Sequence, residues 1–448
     1  MDLQRPFKTA TAWYQETLGA IEGSVWSLPQ IFAFRTLLLF ILIGETELVR
    51  EVFSLGEFLS LPSSGPPRLD PLTLWFGDFA FGLDLSGANP RLNDSKPYAW
   101  VNNGTYLTLS MLIAGIWSTL HRRQRAHPLL YDGLWTLLRM IVALHMFGYG
   151  FAKIFGLQFV LPSATVMMRE VGSLNPAELM KVFMGTSQPY SAMAGWAEVV
   201  GGTLLCFRRS TLLGALLTLV VMVNVFAMNL FYNFGVQRLS LELTLMIFFI
   251  LTPYLRSLIA VIIFNRGSPP IQIYGPWTKG KWRRAGLALM TLWCAVNLGS
   301  KATGAYDFAY HYGELGPRGD LDGTWSVDTQ SVDDESDLSK LPPEKQWRSI
   351  TFMHRSKWTE ATIGRRDSSH ESYRFFVSGD RIILTEMSWG EDLSGVKRVG
   401  SLGYRKAENG IMQVDGELGG SRIQAKLIFK PQSTFKLLNG KVGLIRKP

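Results

Sequence analysis

The chain has 448 residues, 47% of them hydrophobic and only 18% charged, with a positive mean hydropathy and a formal net charge of +9. Soluble chains carry about a quarter charged residues, so a purely soluble enzyme is excluded, as are a disordered chain and a collagen-like one. From Gly304 onward 21 Lys and Arg face 20 Asp and Glu, which confines the charge deficit to the first 300 residues. This is the composition of a membrane domain followed by a soluble tail. The two cysteines, Cys206 and Cys294, both lie in apolar runs and exclude a disulfide framework.

Residues 1–27 hold no continuous apolar core of the length a signal peptide requires. Trp13, Tyr14, Leu18, Ile21 and Trp26 are spaced for a short amphipathic helix on the inner membrane surface, or belong to an ordinary frayed terminus. The transmembrane helical domain follows over 28–303. Its apolar runs, read against a span of roughly 17–25 residues, are Leu28–Leu48, Val101–Leu120, Leu134–Leu161, Tyr190–Cys206, Thr211–Tyr232, Ser240–Phe264 and Ala285–Ala302. Arg35 and Glu45 interrupt the first. Short loops on one side carry Arg122, Arg123, Arg125, Arg208, Arg209, Arg266, Lys279, Lys281, Arg283 and Arg284. The other side has a long outer loop over 49–100, a loop with Arg169 and Lys181, and a tight turn with Arg238. Because basic residues collect in cytoplasmic loops, seven spans put the N-terminus inside and the C-terminal domain outside.

The outer loop, with Trp75 and Phe76 at its middle, reads as short helices capping the bundle. Asn103-Gly104-Thr105 fits the N-glycosylation acceptor pattern, a pattern common by chance. Pro176–Met184 reads as an amphipathic helix near the surface.

Residues 313–448 change character to short alternating runs: Gly323–Val327, Gln346–Phe352, Trp358–Ile363, Tyr373–Val377, Arg381–Thr385, Gly400–Tyr404, Ile411–Val414, Ile423–Phe429, Thr434–Leu438 and Gly443–Arg446. Turn signals such as Ser378-Gly379-Asp380 and Glu408-Asn409-Gly410 separate them. Eight to ten strands so spaced predict an all-β domain, either an antiparallel barrel or a sandwich. Gly323-Thr324-Trp325 resembles the Gly-x-Trp start of lipocalin-like, calycin barrels, a resemblance that implies a basic residue packed over the Trp, with Arg446 in that position.

No Walker loop, dinucleotide fingerprint, His-Glu-x-x-His or Cys-x-x-Cys occurs, and the six His show no ligand spacing. No metal, no evident resident cofactor and no nucleic-acid partner are expected. Ionisable residues within apolar spans carry the remaining signal, because they are costly there and usually face a bundle interior or a wet cavity. His145, Tyr149 and Lys153 fall at i, i+4 and i+8 on one helix face. Glu198 lies in the fourth run, and Asn224 and Asn229 in the fifth. At about 1.5 Å per residue, Lys153, Glu198 and Asn224 each fall about 12 Å below the outer boundary, with Gln158 and Asn229 about 5 Å below it. A Lys153–Glu198 pair with Asn224 beside it is therefore expected as the catalytic or charge-bearing core of an outward-facing polar site. Tyr149, Gln158, Asn224 and Asn229 are the expected ligand-binding groups. Each has a structural reading as well: a snorkelling Lys153, an Asn224 bonding helix to helix, and Gly201-Gly202 as a close-packing surface.

Leu137-Leu138-Arg139 through Gly150-Phe151-Ala152-Lys153 and Gln158 resembles the G-x-x-K third-span motif of DoxX/DoxD-like membrane proteins. Gly195–Arg209, with Glu198, Gly201-Gly202 and Phe207-Arg208-Arg209, is similar to the E-x-x-G-G helix and basic turn that follow it. The resemblance covers 134–264 and implies a four-helix membrane core. Because the name-giving member is similar to a thiosulfate:quinone oxidoreductase subunit, it also implies a quinone-class ligand. The chain departs from the pattern by its extra spans, its outer loop, its β-domain and its lack of a cysteine on the outer side. The expected protein is an elaborated DoxX-like protein of the bacterial inner membrane that binds a quinone or similar lipophilic small molecule, as an oxidoreductase subunit. The alternative is a non-catalytic membrane anchor displaying a periplasmic β-barrel to a protein partner. A carboxylase-like or transport function is a third reading.

Overall fold

A computed structural model of the chain describes residues 26–54, 70–85, 97–122, 126–267, 280–387, 396–407 and 409–438, apart from 432, 433 and 436. The expected N-terminal amphipathic helix lies outside these residues, except for Trp26, as does Arg446. The chain divides into two compact units. One comprises the described residues up to Phe151 together with Ala194–Thr303; the other comprises Ala152–Met193 together with the described residues from Gly304.

The helices are α1 (Leu28–Leu39), α2 (Thr46–Phe53), α3 (Asp70–Phe81), α4 (Pro97–Leu120), α5 (Pro128–Ile154), α6 (Pro176–Gly185), α7 (Gln188–Cys206), α8 (Thr211–Phe231), α9 (Gln237–Leu251), α10 (Leu255–Ile262) and α11 (Gly280–His311). Every apolar run of the sequence is thus helical over most of its length. Among the described residues, three stretches are long and apolar enough to cross a bilayer: Pro128–Ile154, Thr211–Phe231, and Gln237–Ile262, which joins α9 to α10. On α8 the exposed positions are apolar apart from Asn224, among them Leu213, Val220 and Phe231, as a lipid-facing surface requires. These are the marks of a membrane protein.

The first run is not one regular helix. After α1 the backbone widens into a π-turn over Phe40–Gly44 and restarts at Thr46. The interruption falls at Glu45, the acidic residue that stands out in the sequence. The third run ends earlier than its apolar composition suggests: α5 stops at Ile154 and the chain turns through a left-handed Gly156, as helix C-termini commonly do. In the following loop, Asn175 caps α6 by accepting from the Glu178 amide at 2.9 Å, and Pro176 occupies the first helical position. Partial burial raises the Glu178 pKa, but the bonds from the Asn175 amide and Arg169 outweigh it and hold the carboxyl below its ordinary value.

In the helical unit the glycines of α7 set how closely helices approach. A Cβ on Gly202 would fall 2.9 Å from Met146 Cβ and 3.1 Å from the Ala143 carbonyl oxygen of α5, whereas one on Gly201 would fall 2.6 Å from Thr218 of α8. Adjacent glycines therefore seat one helix against two neighbours, the close-packing surface expected of Gly201-Gly202.

The β-domain is a closed antiparallel barrel in the order β1-β2-β3-β4-β5-β6-β7-β8. Its strands are β1 (Gly323–Val332), β2 (Trp347–His354), β3 (Thr359–Arg365), β4 (His370–Ser378), β5 (Arg381–Thr385), β6 (Arg398–Lys406), β7 (Ile411–Leu418) and β8 (Ser421–Lys430). Closure comes from β1, where Trp325 pairs with Ile350 of β2 on one side and Phe429 of β8 on the other. A sandwich is thereby excluded. The described residues of the expected ninth strand, Thr434–Leu438, form turns instead, and Gly443–Arg446 lies outside the described residues.

Alternate residues point inward, and the interior is filled. Trp325, Trp347, Ile350, Phe352, Phe375 and Leu402 are buried in one apolar cluster, as the narrow bore of an eight-stranded barrel allows. Gly323 has φ +126°, and a Cβ there would meet Phe429 at 2.6 Å, which accounts for the glycine of Gly-x-Trp. Trp325 is 1% exposed, and among the described residues a cation over its ring is Lys406 of β6, with Nζ 5.6 Å from the centroid.

Candidate functional site

In the helical unit Glu198 is 1% exposed at mid-α7. Tyr149 is half-buried on α5, its ring 6.3 Å from that of His145, whose Nδ1 lies 2.9 Å from the Ile141 carbonyl oxygen one turn back. In the other unit Lys153 is 4% exposed. Gln158 is half-buried there, and its Oε1 is buried without a hydrogen-bond partner among the described residues.

Two expectations need correction. Asn224 is exposed, so it has no place in a buried cluster. The buried face of α8 runs through Thr211, Ala215, Thr218, Met222 and Asn229. Asn224, two residues past Met222, is turned about 200° from it at 3.6 residues per turn. Asn229 is buried and faces the turn into α9: its main-chain carbonyl accepts from Gln237 Nε2 at 3.1 Å and from the Phe234 amide at 2.9 Å, and its side-chain Nδ2 lies 3.5 Å from the Val236 carbonyl oxygen. The equal depth expected of Lys153, Glu198 and Asn224 requires a helix running to Leu161. Lys153 instead stands one residue before α5 ends.

The clearest polar cluster in the helical unit is one that sequence reasoning missed. Arg238, in the first turn of α9, points Nη1 at Glu242 Oε1 (2.7 Å), Asn103 Oδ1 (3.2 Å) and Glu45 Oε1 (3.4 Å). The Asn103 amide donates to Glu242 as well. Glu45 and Glu242 are 6% and 8% exposed. Three elements converge here: the π-turn delivers Glu45, α4 delivers Asn103, and Arg238 and Glu242 lie at i and i+4 on α9. π-turns often mark functional positions. The Thr46 hydroxyl, next to Glu45, is buried with no hydrogen-bond partner among the described residues, and so are those of Thr36 on α1 and Ser110 on α4. Asn103 is therefore no glycosylation acceptor, being a helical residue committed to this network. The available sequence signal was the i, i+4 spacing of Arg238 and Glu242 at the start of an apolar run.

Two further buried cations serve structure. Arg139 donates to the carbonyls of Leu205 (2.8 Å) and Cys206 (2.9 Å), capping the C-terminal end of α7. Arg35 lies over Trp117 at 4.6 Å, donates to Ser118 Oγ at 3.0 Å, and has Nη2 3.0 Å from His127 Nε2.

In the other unit, Arg355 joins the barrel to the end of α11. It donates to the Gly313 carbonyl at 2.7 Å, to Glu314 at 3.1 Å and to Asp322, with its own side chain 3% exposed. Because the barrel bore is filled, recognition by this unit is left to its outer surface. A groove crosses β7, β8 and β1 there, lined by Gln413, Asp415, Gln424 and Lys426 together with Leu338 and Val414.

No protein-family model matches the chain, and no solved structure matches it significantly. A stretch of 108 residues, 24% of the chain, is 30% identical to the uncharacterized protein YwoB of Bacillus subtilis (strain 168) and covers 68% of that protein. The chain belongs to the same family as YwoB. That kinship brings no activity with it, since YwoB is itself uncharacterized.

Proposed function

We propose that the chain is an elaborated DoxX-like, multi-pass protein of the bacterial inner membrane whose helical unit binds a lipophilic carbonyl compound of the quinone class. The observation that carries this reading is the Glu45–Asn103–Arg238–Glu242 cluster. A membrane unit has no stability reason to bury two carboxylates around one guanidinium, since desolvation of such groups rivals their attraction, and intramembrane ionisable residues usually serve function. The donor set fits the ligand class. Arg238 and the Asn103 amide are hydrogen-bond donors for a carbonyl oxygen, the Thr46 hydroxyl is a buried donor awaiting an acceptor, and Glu45 and Glu242 hold or release protons. Glu198 is a further buried carboxylate of the same unit. A bound quinone would supply two-electron redox chemistry. The chain's own residues orient the carbonyls, exclude water and manage the protons.

A short-chain menaquinone analogue titrated into the full chain in detergent is expected to quench tryptophan fluorescence saturably, with affinity at least about tenfold weaker in Glu242→Gln, the loss of one charged-group hydrogen bond. Non-saturable quenching equal in the two proteins would remove the reading.

The same reading puts seven helices across the bilayer, the N-terminus in the cytoplasm and the barrel outside. A periplasm-dependent reporter fused after Pro448 should be active and one fused near Arg125 silent. The reverse pattern would refute the topology.

The filled barrel favours a second reading, a non-catalytic anchor that displays the barrel for binding or assembly through its exterior. A protein partner held along the Gln413–Gln424–Lys426 face would support it.

A further inference from the structure

Helix α3 lies beside α4, and its contacts set the direction in which it runs. The Tyr98 hydroxyl donates to Asp70 Oδ1, Thr73 Oγ1 donates to Asn102 Oδ1 at 3.0 Å, and a Cβ on Gly104 would fall 3.3 Å from Phe76 Cε1. Positions 70, 73 and 76 thus meet 98, 102 and 104, so α3 follows the first turns of α4 in the same direction over its 12 residues, about 18 Å. At its foot Gly82, with φ +62°, reverses the chain. The Gly82 amide donates to the Asp78 carbonyl at 2.9 Å and the Leu83 amide to the Gly77 carbonyl at 3.1 Å. This glycine cap satisfies carbonyls within the segment itself, as lipid demands. Leu85 then turns back to bury against Tyr98 and Val101.

The face of α3 turned away from α4 is apolar and uncovered. Thr73 and Gly77 are buried, whereas Leu72, Trp75 and Phe79 on the other side are 39%, 56% and 74% exposed. Trp75 and Phe79 stack, with ring centroids 5.1 Å apart and 8° between the planes. Phe81 and Leu83 extend this surface at the foot, and Asp78 lies about 100° round from Phe79, at its edge. We propose that α3 is a wedge seated in the lipid leaflet where α4 begins, with Leu72, Trp75 and Phe79 among phospholipid acyl chains at the headgroup boundary. Lipid is the occupant for two reasons. The large side chains face out while Thr73 and Gly77 face in, the reverse of a helix bathed in water. The face also stands level with the first turns of an expected span, where Trp concentrates, and Leu107, Met111, Leu112 and Ile116 are exposed further along that span. The inference stands on the membrane character of the helical unit and not on the ligand reading above.

The full chain carrying Phe79→Cys is labelled with bimane and reconstituted in phosphatidylcholine liposomes, with the wild type, whose two cysteines are buried, as the blank. Trp75→Cys gives the same reading if Phe79→Cys does not fold, and Lys340→Cys, at an exposed position of the barrel unit, is the water-facing reference. The wedge predicts that lipids brominated near the headgroup quench the label at 79 by about half, and more than lipids brominated at the chain ends, as a shallow apolar face requires. Aqueous iodide should quench it several-fold less than the reference. Iodide quenching equal to that at 340, with no effect of brominated lipid, would show a water-facing helix and overturn the proposal. Protection from both quenchers would show the face covered by protein, a second copy or a partner, and would overturn it as well.

Discussion

Replacing Arg355 by methionine is expected to destabilise the barrel-containing unit by about 3–5 kcal/mol, the cost of breaking a buried ion pair from one side. Arg355 is 4% exposed, and the change leaves Asp322, itself 7% exposed at its side chain, without its close cation, while the Gly313 carbonyl loses its donor. Arg318 does not replace it, because its Nε is 3.7 Å from Asp322 and its side chain 53% exposed. Denaturant unfolding of the full chain, followed through the near-ultraviolet signal of the barrel tryptophans, should show an early transition. Asp322→Asn combined with Arg355→Met should recover a large part of the loss, since the buried charge is then gone. A single-variant shift within about 0.5 kcal/mol, typical of ordinary surface changes, would show that the contact holds nothing together.

The second large effect is expected at Arg238. Arg238→Met leaves Glu45 and Glu242 facing each other in a low dielectric without their shared guanidinium, and should cost the helical unit about 3–5 kcal/mol. The partial exposure of the Arg238 side chain, 22%, places the effect toward the lower end. Adding Glu242→Gln should restore stability but not ligand binding, because the amide packs like the carboxylate and cannot exchange a proton. Thermal unfolding in detergent reads the first quantity and the quinone titration the second. If stability and binding return together, the cluster is a structural device alone.

How much of this could be read in the sequence follows from the kind of signal each feature leaves. The helices were legible because an apolar run in a charge-poor domain leaves little else for the backbone to do, and the barrel strands because alternation and turn residues repeat every few positions. β5 occupies the expected Arg381–Thr385. Helix ends were less legible: α5 stops at Ile154 because Gly156 turns left-handed, a backbone event that hydropathy does not register. The expected polar site was assembled from depth along single helices. That scheme ignores rotation about the helix axis, and rotation is what turns Asn224 outward while Asn229 faces in. The cluster that did form draws on residues 45, 103, 238 and 242, remote in sequence and spread over three different apolar runs and the turn before one of them. Only the Arg238–Glu242 spacing was local enough to see. Lys406 over Trp325 has the same character, since cross-barrel neighbours are set by register and not by order along the chain.

The proposed function is tested most directly by what the protein carries. The full chain and its Arg238→Met Glu242→Gln variant, both extracted in mild detergent and weighed by native mass spectrometry, should differ by one bound molecule. The wild type is predicted to hold a lipophilic carbonyl compound of the quinone class in near one-to-one amount, and the variant to lose it while remaining folded. A wild type that carries only phospholipid, or that retains a protein partner stoichiometrically in place of any small molecule, would contradict the account.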